Sequence, residues 1–138
     1  MKQIDAAIIN AWNSGADANA VAVKAAATGG LHNSIAPRTA VPPYVVYHEM
    51  PSRPEFTFDG TSEIHDYMFM VVTGKDASVA VINNIRDLLI AWLDAVTLTI
   101  SGYTFIYCTR TFSGQKIFNE DDETWNYPTD YEIRAHKN

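Results

Sequence analysis

One amphipathic helix near the middle of the chain constrains the fold most strongly. Apolar residues recur three and four positions apart between residues 77 and 95, and polar residues fall mostly on the other side. This spacing predicts a long helix with one apolar stripe, and Asp76 is expected to cap its start. The stripe contains Val79, Ile82, Ile85, Leu89, Trp92, Leu93 and Val96. Burying about seven such side chains, at roughly 1.5–3 kcal/mol each, offsets much of the ordering cost, so a sheet is expected to cover the stripe.

Strand-forming segments lie on both sides of this helix. Large and β-branched side chains dominate IHDYMFMVVT, and prolines border the apolar run in VPPYVVYHEMP. Such patterns are typical of strands. The predicted strands are Tyr44–Met50, Ile64–Thr73, Leu98–Ile100, Tyr103–Phe112 and Tyr131–His136. In the first of them, alternation puts Tyr44, Val46 and His48 on one face of the sheet.

Two short helices are predicted at the beginning of the chain. Lys2–Trp12 has apolar side chains at a spacing of four, and Asp17–Ala27 is rich in alanine with Asp17 as its N-cap. The pair Gly29-Gly30 ends the second helix. Residues 32–43 contain three prolines and are expected to be extended.

Two later segments are predicted to be connections. Asp59-Gly60 is a hairpin-turn signal. Residues 119–128 are acidic and aromatic, and they are expected to form a loop before the last strand.

The order of elements predicts an α+β fold. Short N-terminal helices are followed by strands, one long helix and further strands, which indicates an antiparallel or mixed β-sheet with the long amphipathic helix packed on one face. The length of 138 residues suits one domain. We expect a single domain over 1–138, with a helical segment at 1–30 and an α+β core at 37–136.

Charge and cysteine content exclude several classes of protein. The formal net charge is −6, from 10 Lys and Arg against 16 Asp and Glu, and the basic residues do not cluster. This argues against tight phosphate binding. Cys108 is the only cysteine, so no internal disulfide is expected and the cytosol is the simplest compartment. Neither a secretory signal nor an apolar run of about 18 residues is found, so no membrane span is expected.

The motifs of common catalytic and metal sites are missing from the sequence. None of the four histidines has the spacing of a metal motif. Cys108 has no local base beside it and is expected to be a buried side chain. The run NEDDE lacks the glycine and the alternating ligands of a calcium loop, so it is expected to be a solvated loop that can dock a basic partner. We therefore expect no catalytic, cofactor-binding or metal residue, and no enzyme.

Aromatic residues indicate contact with a partner. Ten of them lie on or next to the predicted strands: Tyr44, Tyr47, Phe56, Phe58, Tyr67, Phe69, Tyr103, Phe105, Tyr107 and Phe112. One long helix in a chain of this size cannot easily cover both faces of such a sheet. A remaining apolar face favours a binding partner over a monomer.

The order of these segments resembles a family of viral tail proteins. The linker APRTAVPPYVVY, a long strand leading through TGKD into the amphipathic helix, and strands closing on YEIRAH are similar to the tail completion or tail terminator proteins of long-tailed, siphovirus-like bacteriophages. The similarity covers about residues 37–136. It is one of pattern and order, and the Pro-Pro-Tyr strand is its most distinctive motif.

The resemblance implies a structural virion protein. Such subunits form a homohexameric ring that caps the tail tube, stops its polymerisation and joins the tail to the head connector. The implied partners are further copies of the chain, the tail tube protein and the head-completion or connector protein, with no membrane and no cofactor. DNA would pass through the lumen without specific binding, which an acidic chain suits. The implied location is the tail or neck of the virion, and the host cytoplasm during assembly.

The family has no catalytic residues, so only candidates for interaction follow. They are Arg38, Arg53, Phe56 and Phe58 in the proline-bounded loops, and Glu120, Asp121, Asp122, Glu123 and Trp125 in the acidic segment. Two other functions stay open. One is another phage neck protein, either a head-closure protein or a head–tail adaptor. The other is a small α+β ligand-binding domain or enzyme, which would need a concave pocket with convergent polar groups.

Overall fold

Two long antiparallel strands, β3 (Ser62–Gly74) and β6 (Thr124–Lys137), pair along their whole length at the centre of the sheet. The structure is a computed structural model, and it describes residues 1–51 and 62–138. The other strands are β1 (Leu31–Asn33), β2 (Tyr44–Met50), β4 (Tyr103–Ser113) and β5 (Ile117–Asn119). The helices are α1 (Lys2–Asn13), α2 (Ala18–Ala26) and α3 (Val79–Ala95).

The strand order is β1-β2-β3-β6-β4, and β5 also pairs with β6. Strand β1 runs parallel to β2, whereas the other pairs are antiparallel. The sheet is therefore mixed and open, and together with the helices it confirms the predicted α+β fold. The Asp59-Gly60 turn lies outside the described residues.

All three helices lie on one face of the sheet because each has an apolar stripe. Five residues of α3 are buried, namely Ile82, Ile85, Leu89, Trp92 and Leu93. In α1 the buried residues include Ile4, Ile8 and Trp12, as the spacing of four predicts. The indole of Trp12 meets that of Trp92 edge-on, with ring centroids 5.7 Å apart, and so joins the two helices.

The helix-facing side of the sheet is a row of aromatic residues. Tyr47, Tyr67, Phe69 and Tyr131 are fully buried. The ring of Phe69 stacks on Tyr47 at 5.6 Å and meets Tyr131 edge-on at 5.9 Å. The tyrosine hydroxyls donate to the helices: Tyr131 to Asp94 Oδ1 at 2.7 Å, and Tyr67 to Asp5 Oδ1 at 2.9 Å. Each buried hydroxyl thereby has a partner and also holds a helix in place.

Helix capping was predicted correctly at one helix and wrongly at another. Asp17 caps α2, where its Oδ1 accepts a hydrogen bond from the amide of Asn19 at 2.9 Å. Asp76 does not cap α3, whose N-cap is Ser78. The amide of Ala77 donates to Gly74 O in a turn, and this turn leaves Asp76 ahead of the capping position.

One strand prediction and one loop prediction were wrong in the second half of the chain. Leu98–Ile100 forms no strand, and its apolar residues Leu98 and Ile100 are instead buried in the core. Residues 119–128 are not one loop, because β5 ends at Asn119 and β6 begins at Thr124 rather than Tyr131. The last strand tolerates Pro128. The carbonyl of Pro128 faces the end of β4, where it accepts a hydrogen bond from the Gly114 amide. The N–H that proline lacks would face the same side, beyond the last β4 pair, so no ladder bond is lost there.

Replacing Phe69 tests whether the aromatic row carries the fold. We expect Phe69→Ala to lower the free energy of unfolding by about 3–5 kcal/mol, because it leaves a cavity between two packed rings. The matched control is Phe112→Ala, since Phe112 is 58% exposed and its loss should change stability by less than about 0.5 kcal/mol. Urea unfolding of both variants measures the difference, and equal losses would contradict this assignment of the core.

Candidate functional site

The second face of the sheet has no described helix packed on it. We call it the open face. It consists of the alternate side chains that point away from the helices: Tyr44, Val46, His48 and Met50 of β2, Ile64, Asp66, Met68, Met70 and Val72 of β3, and Asn126, Pro128, Asp130, Glu132 and Arg134 of β6. Most of these residues are half-exposed. The alternation that the sequence predicts for Tyr44, Val46 and His48 is confirmed.

Three carboxylates lie next to one another at the centre of the open face. Asp66 is the direct cross-strand partner of Glu132, and Asp130 follows one pair along as the partner of Met68. We call Asp66, Asp130 and Glu132 the acidic row. Like charges on directly opposed strand positions destabilise a sheet.

The acidic row is electrostatically unfavourable in the isolated chain. Burial, and then the charge of Glu132, raise the pKa of Asp66 above its ordinary value. Burial, and then the charge of Asp66, likewise raise the pKa of Asp130, although His48 acts in the opposite direction. The Oδ1 atom of Asp130 is buried without a hydrogen bond to any described residue. Ionisation of either aspartate therefore lowers the stability of the fold.

Methionines surround the acidic row. Met50, Met68 and Met70 are half-exposed, and Met50 pairs with Asp66 while Met68 pairs with Asp130. Glu132 accepts a hydrogen bond of 2.7 Å from the hydroxyl of Tyr107 on β4. Flexible thioethers around a charged centre are suited to a protein surface that adapts to a partner.

The predicted acidic segment forms the turn between β5 and β6. Glu120, Asp121, Asp122 and Glu123 are all exposed. The turn is held by its own hydrogen bonds, in which Asn119 Oδ1 accepts from the Asp121 amide and Asp122 Oδ1 accepts from the Thr124 hydroxyl at 2.6 Å. The Nζ of Lys75 lies 3.1 Å from Glu123 Oε2, an exposed pair of small energetic weight.

This turn borders one end of the open face. A groove of about 530 Å³ is lined by residues 117–122 together with Met70, Asn126 and Pro128. Burial, and then the charge of Asp122, raise the pKa of Tyr44, so the turn acts on the first residue of β2. Trp125 points to the other side of the sheet, where it packs on Phe118 with centroids 5.1 Å apart. The structure thus separates Trp125 from the acids beside it in sequence.

Arg38 lies in an exposed loop at the other edge of the sheet. This loop, residues 34–43, connects β1 to β2, and Arg38 has no ion pair with a described residue. Two apolar side chains of the loop are strongly exposed, Ile35 at 81% and Val41 at 71%. The other three candidates of the proline-bounded loops, Arg53, Phe56 and Phe58, lie outside the described residues.

The ends of the 34–43 loop are anchored to the sheet. The amide of Ser34 donates to Tyr47 O at 2.7 Å, and the amide of Gly29 donates to Pro43 O at 2.8 Å. A Cβ atom on Gly29 would lie 2.2 Å from the carbonyl oxygen of Val41, so the close approach of the two segments requires glycine there. The Pro42-Pro43 peptide bond is cis. The two hydrogen bonds and the close approach at Gly29 hold the ends of the loop against the sheet.

Histidine and cysteine contribute structure rather than a recognisable reactive centre. His65 lies between two glutamates, with Nδ1 2.5 Å from Glu49 Oε1 and Nε2 3.3 Å from Glu63 Oε2. Among the described residues, no group of three His, Cys, Asp or Glu is placed to hold a metal ion. Burial, and then the charge of Asp94, raise the pKa of the Cys108 thiol to about 12. At neutral pH this thiol is protonated and is a poor nucleophile.

Sequence reasoning missed the acidic row. Alternation within β3 and β6 places Asp66 and Glu132 on the face opposite the buried Tyr67 and Tyr131, and this placement could be predicted from the sequence. Their direct opposition was not readable, because it depends on the register between two strands more than 60 residues apart in sequence, Asp66 with Glu132.

Comparison with known proteins identifies the fold. Neither a protein-family model nor a curated protein matches the chain. A chain from the virion of a native gene transfer agent particle matches with a TM-score of 0.71 and 15% identity, over 98% of this chain and 96% of that one. Another solved chain matches with a TM-score of 0.56 and 17% identity, over 96% of this chain and 94% of that one. The gp17 protein of bacteriophage SPP1 has a TM-score of 0.47 at 18% identity, over 99% and 90%. The chain therefore has the fold of a chain found in a virion.

No helix of the described residues has the length and apolar character that crossing a membrane requires.

Removing one charge from the acidic row tests its electrostatic cost. The raised pKa of Asp66 means that the folded state holds its proton more tightly than the unfolded state does, so this contribution is present at acid pH and is lost as pH rises through the folded pKa. We expect Asp66→Asn to stabilise the fold at neutral pH by less than about 1 kcal/mol, and the gain to vanish below pH 3.8, the ordinary value. The control is Asp87→Asn on the exposed side of α3. Chemical unfolding as a function of pH measures both, and a destabilised Asp66→Asn at neutral pH contradicts the assignment.

Alkylation tests the environment of Cys108. We expect iodoacetamide at mildly alkaline pH to leave the native thiol unmodified, because burial holds its pKa at about 12, and to modify it rapidly in urea. Intact mass measures the modified fraction. Fast alkylation of the native protein, at the rate seen in urea, would show an accessible thiolate instead.

Proposed function

We propose that this protein is a structural virion subunit of the tail terminator or tail completion kind. Copies of the chain form a ring that caps the tail tube, stops its polymerisation and joins the tail to the head connector. The chain carries out no catalysis. Its working surfaces are the open face, the 34–43 loop and the turn between β5 and β6.

The observation that carries this proposal is the fold shared with a chain of a gene transfer agent virion. The likeness extends over 98% of this chain and 96% of that one, at a TM-score of 0.71. Similarity at this identity concerns the fold, so the role rests on two supports together. The second support is the order of segments, from the Pro-Pro-Tyr strand through the long helix to YEIRAH, which resembles tail terminator proteins.

The exposed surfaces favour assembly over catalysis. The open face combines half-exposed methionines with carboxylates, and the 34–43 loop exposes Ile35 and Val41. A groove of about 540 Å³ beside α1 and α2 is lined by polar residues Asn10, Ser14, Thr97 and Thr99 and by one carboxylate, Asp17, whose Oδ1 already caps α2. Asp17 is the only titratable side chain among the described residues of this groove, so they provide no acid–base pair.

The charge of the chain suits a passage for DNA. A net charge of −6 repels phosphate, and a ring with a basic lumen would instead hold the DNA that has to move through it. Tight DNA binding by the assembled ring at physiological salt would contradict this part of the proposal.

Tube growth in the presence of the protein tests the proposed role. Tail tube protein is allowed to polymerise with and without this protein, and tube lengths and ends are recorded by negative-stain electron microscopy. We expect shorter tubes, each with a six-fold ring at one end, because a capped end cannot add another tube ring. The Asp87→Asn variant serves as a control that keeps the capping activity.

Unchanged tube lengths with no ring at either end would overturn the terminator role. Binding to the head connector in that case would identify the protein as another neck component, a head-closure protein or a head–tail adaptor.

A further inference from the structure

We infer that the 34–43 loop of one copy docks on the open face of the next copy, with Arg38 against the acidic row. This inference rests on the proposed ring and names the surfaces that form it. The occupant of the open face is thus a second copy of this chain.

The loop has the chemistry of an inserted element. It exposes Ile35 and Val41 on either side of Arg38, whose guanidinium has no ion pair with a described residue. Its ends are fixed by hydrogen bonds to Tyr47 O and from Gly29. A held loop loses little conformational entropy when it binds, which favours its use in an interface.

The open face has the complementary chemistry. Its methionines Met50, Met68 and Met70 offer half-exposed apolar contacts for the side chains of Ile35 and Val41. Its carboxylates, Asp66 and Asp130, are raised in pKa by burial and by neighbouring acids, and Arg134 on the same face leaves an excess of negative charge. A guanidinium beside them relieves this repulsion, since a planar fork of donors matches carboxylate oxygens.

Charge favours contact of the loop with the open face over contact between two open faces. A two-fold contact of open face on open face would bring two acidic rows together, and like charges placed together in an interface oppose association. The loop lies at the β1 edge of the sheet, whereas the acidic row lies on β3 and β6. In the proposed ring each copy gives its loop to one neighbour and presents its open face to the other, which is a head-to-tail contact, and such a contact forms a ring when it closes.

Cysteine cross-linking tests the contact directly. One sample carries Arg38→Cys, a second carries Asp66→Cys, and the two are mixed at high concentration and again with tail tubes. A short bis-maleimide reagent is added, because an Arg–Asp pair holds its Cβ atoms farther apart than the roughly 4 Å that a direct disulfide needs. We expect a cross-link between the two chains in the mixture, identified by peptide mapping. The matched control pairs Arg38→Cys with Thr97→Cys, an exposed position outside the sheet and outside both proposed patches. Cross-linking no greater than in this control, in both conditions, overturns the inference.

Charge exchange supplies a second test that is independent of the cross-linking chemistry. Arg38→Glu should weaken self-association roughly tenfold or more, as expected for a close charge pair. The double variant Arg38→Glu with Asp66→Arg should restore it, because every copy contributes both patches. Sedimentation velocity measures the association, and circular dichroism shows that each variant is folded. Arg38→Glu without effect, or a double variant no better than the single one, contradicts the contact.

The outcomes separate this inference from the proposed function. Tubes capped by six-fold rings without the Arg38–Asp66 cross-link keep the terminator role and reject the interface. The cross-link without any capping keeps the interface and rejects the role. The true occupant of the open face could instead be a basic segment of another virion protein. In that case the open face would be protected only when that protein is present, and this result also rejects the inference.

Discussion

Packing of the central strands β3 and β6 against α3 is the interaction on which the rest of the structure depends. Phe69 lies between Tyr47 and Tyr131, and the hydroxyl of Tyr131 reaches Asp94 near the end of α3. This arrangement places the helices on one side of the sheet. The opposite side is thereby left to other contacts, since the three described helices are already used.

Stability and function are in tension on that opposite side. Asp66 faces Glu132 across two strands, and the pKa of Asp66 is raised by burial and by this neighbour. A sheet selected only for stability would not keep like charges there. In the proposed assembly an incoming positive charge compensates this repulsion, and we infer that Arg38 of a neighbouring copy supplies it.

The sequence predicted elements better than it predicted their relations. Periodicity identified α3 and the strand Tyr44–Met50 because a helix stripe and an alternating strand are local patterns. The strand predicted at Leu98–Ile100 was wrong, because apolar residues at alternate positions are expected both for a paired strand and for an irregular segment buried in the core. Arg38 and Glu120–Glu123 were found as exposed charges. The acidic row was not found, because the opposition of Asp66 and Glu132 depends on register.

Oxidation of methionine on the open face tests most directly whether this face is covered in the assembly. Met68 and Met70 are half-exposed in the isolated chain, and Met1, on the helix side, serves as an internal reference. Dilute hydrogen peroxide converts accessible thioethers to sulfoxides, which peptide mass spectrometry counts. We predict that Met68 and Met70 react more slowly in the ring-capped state than in the free chain, while Met1 keeps its rate. Equal rates for Met68 and Met70 in both states would contradict the account.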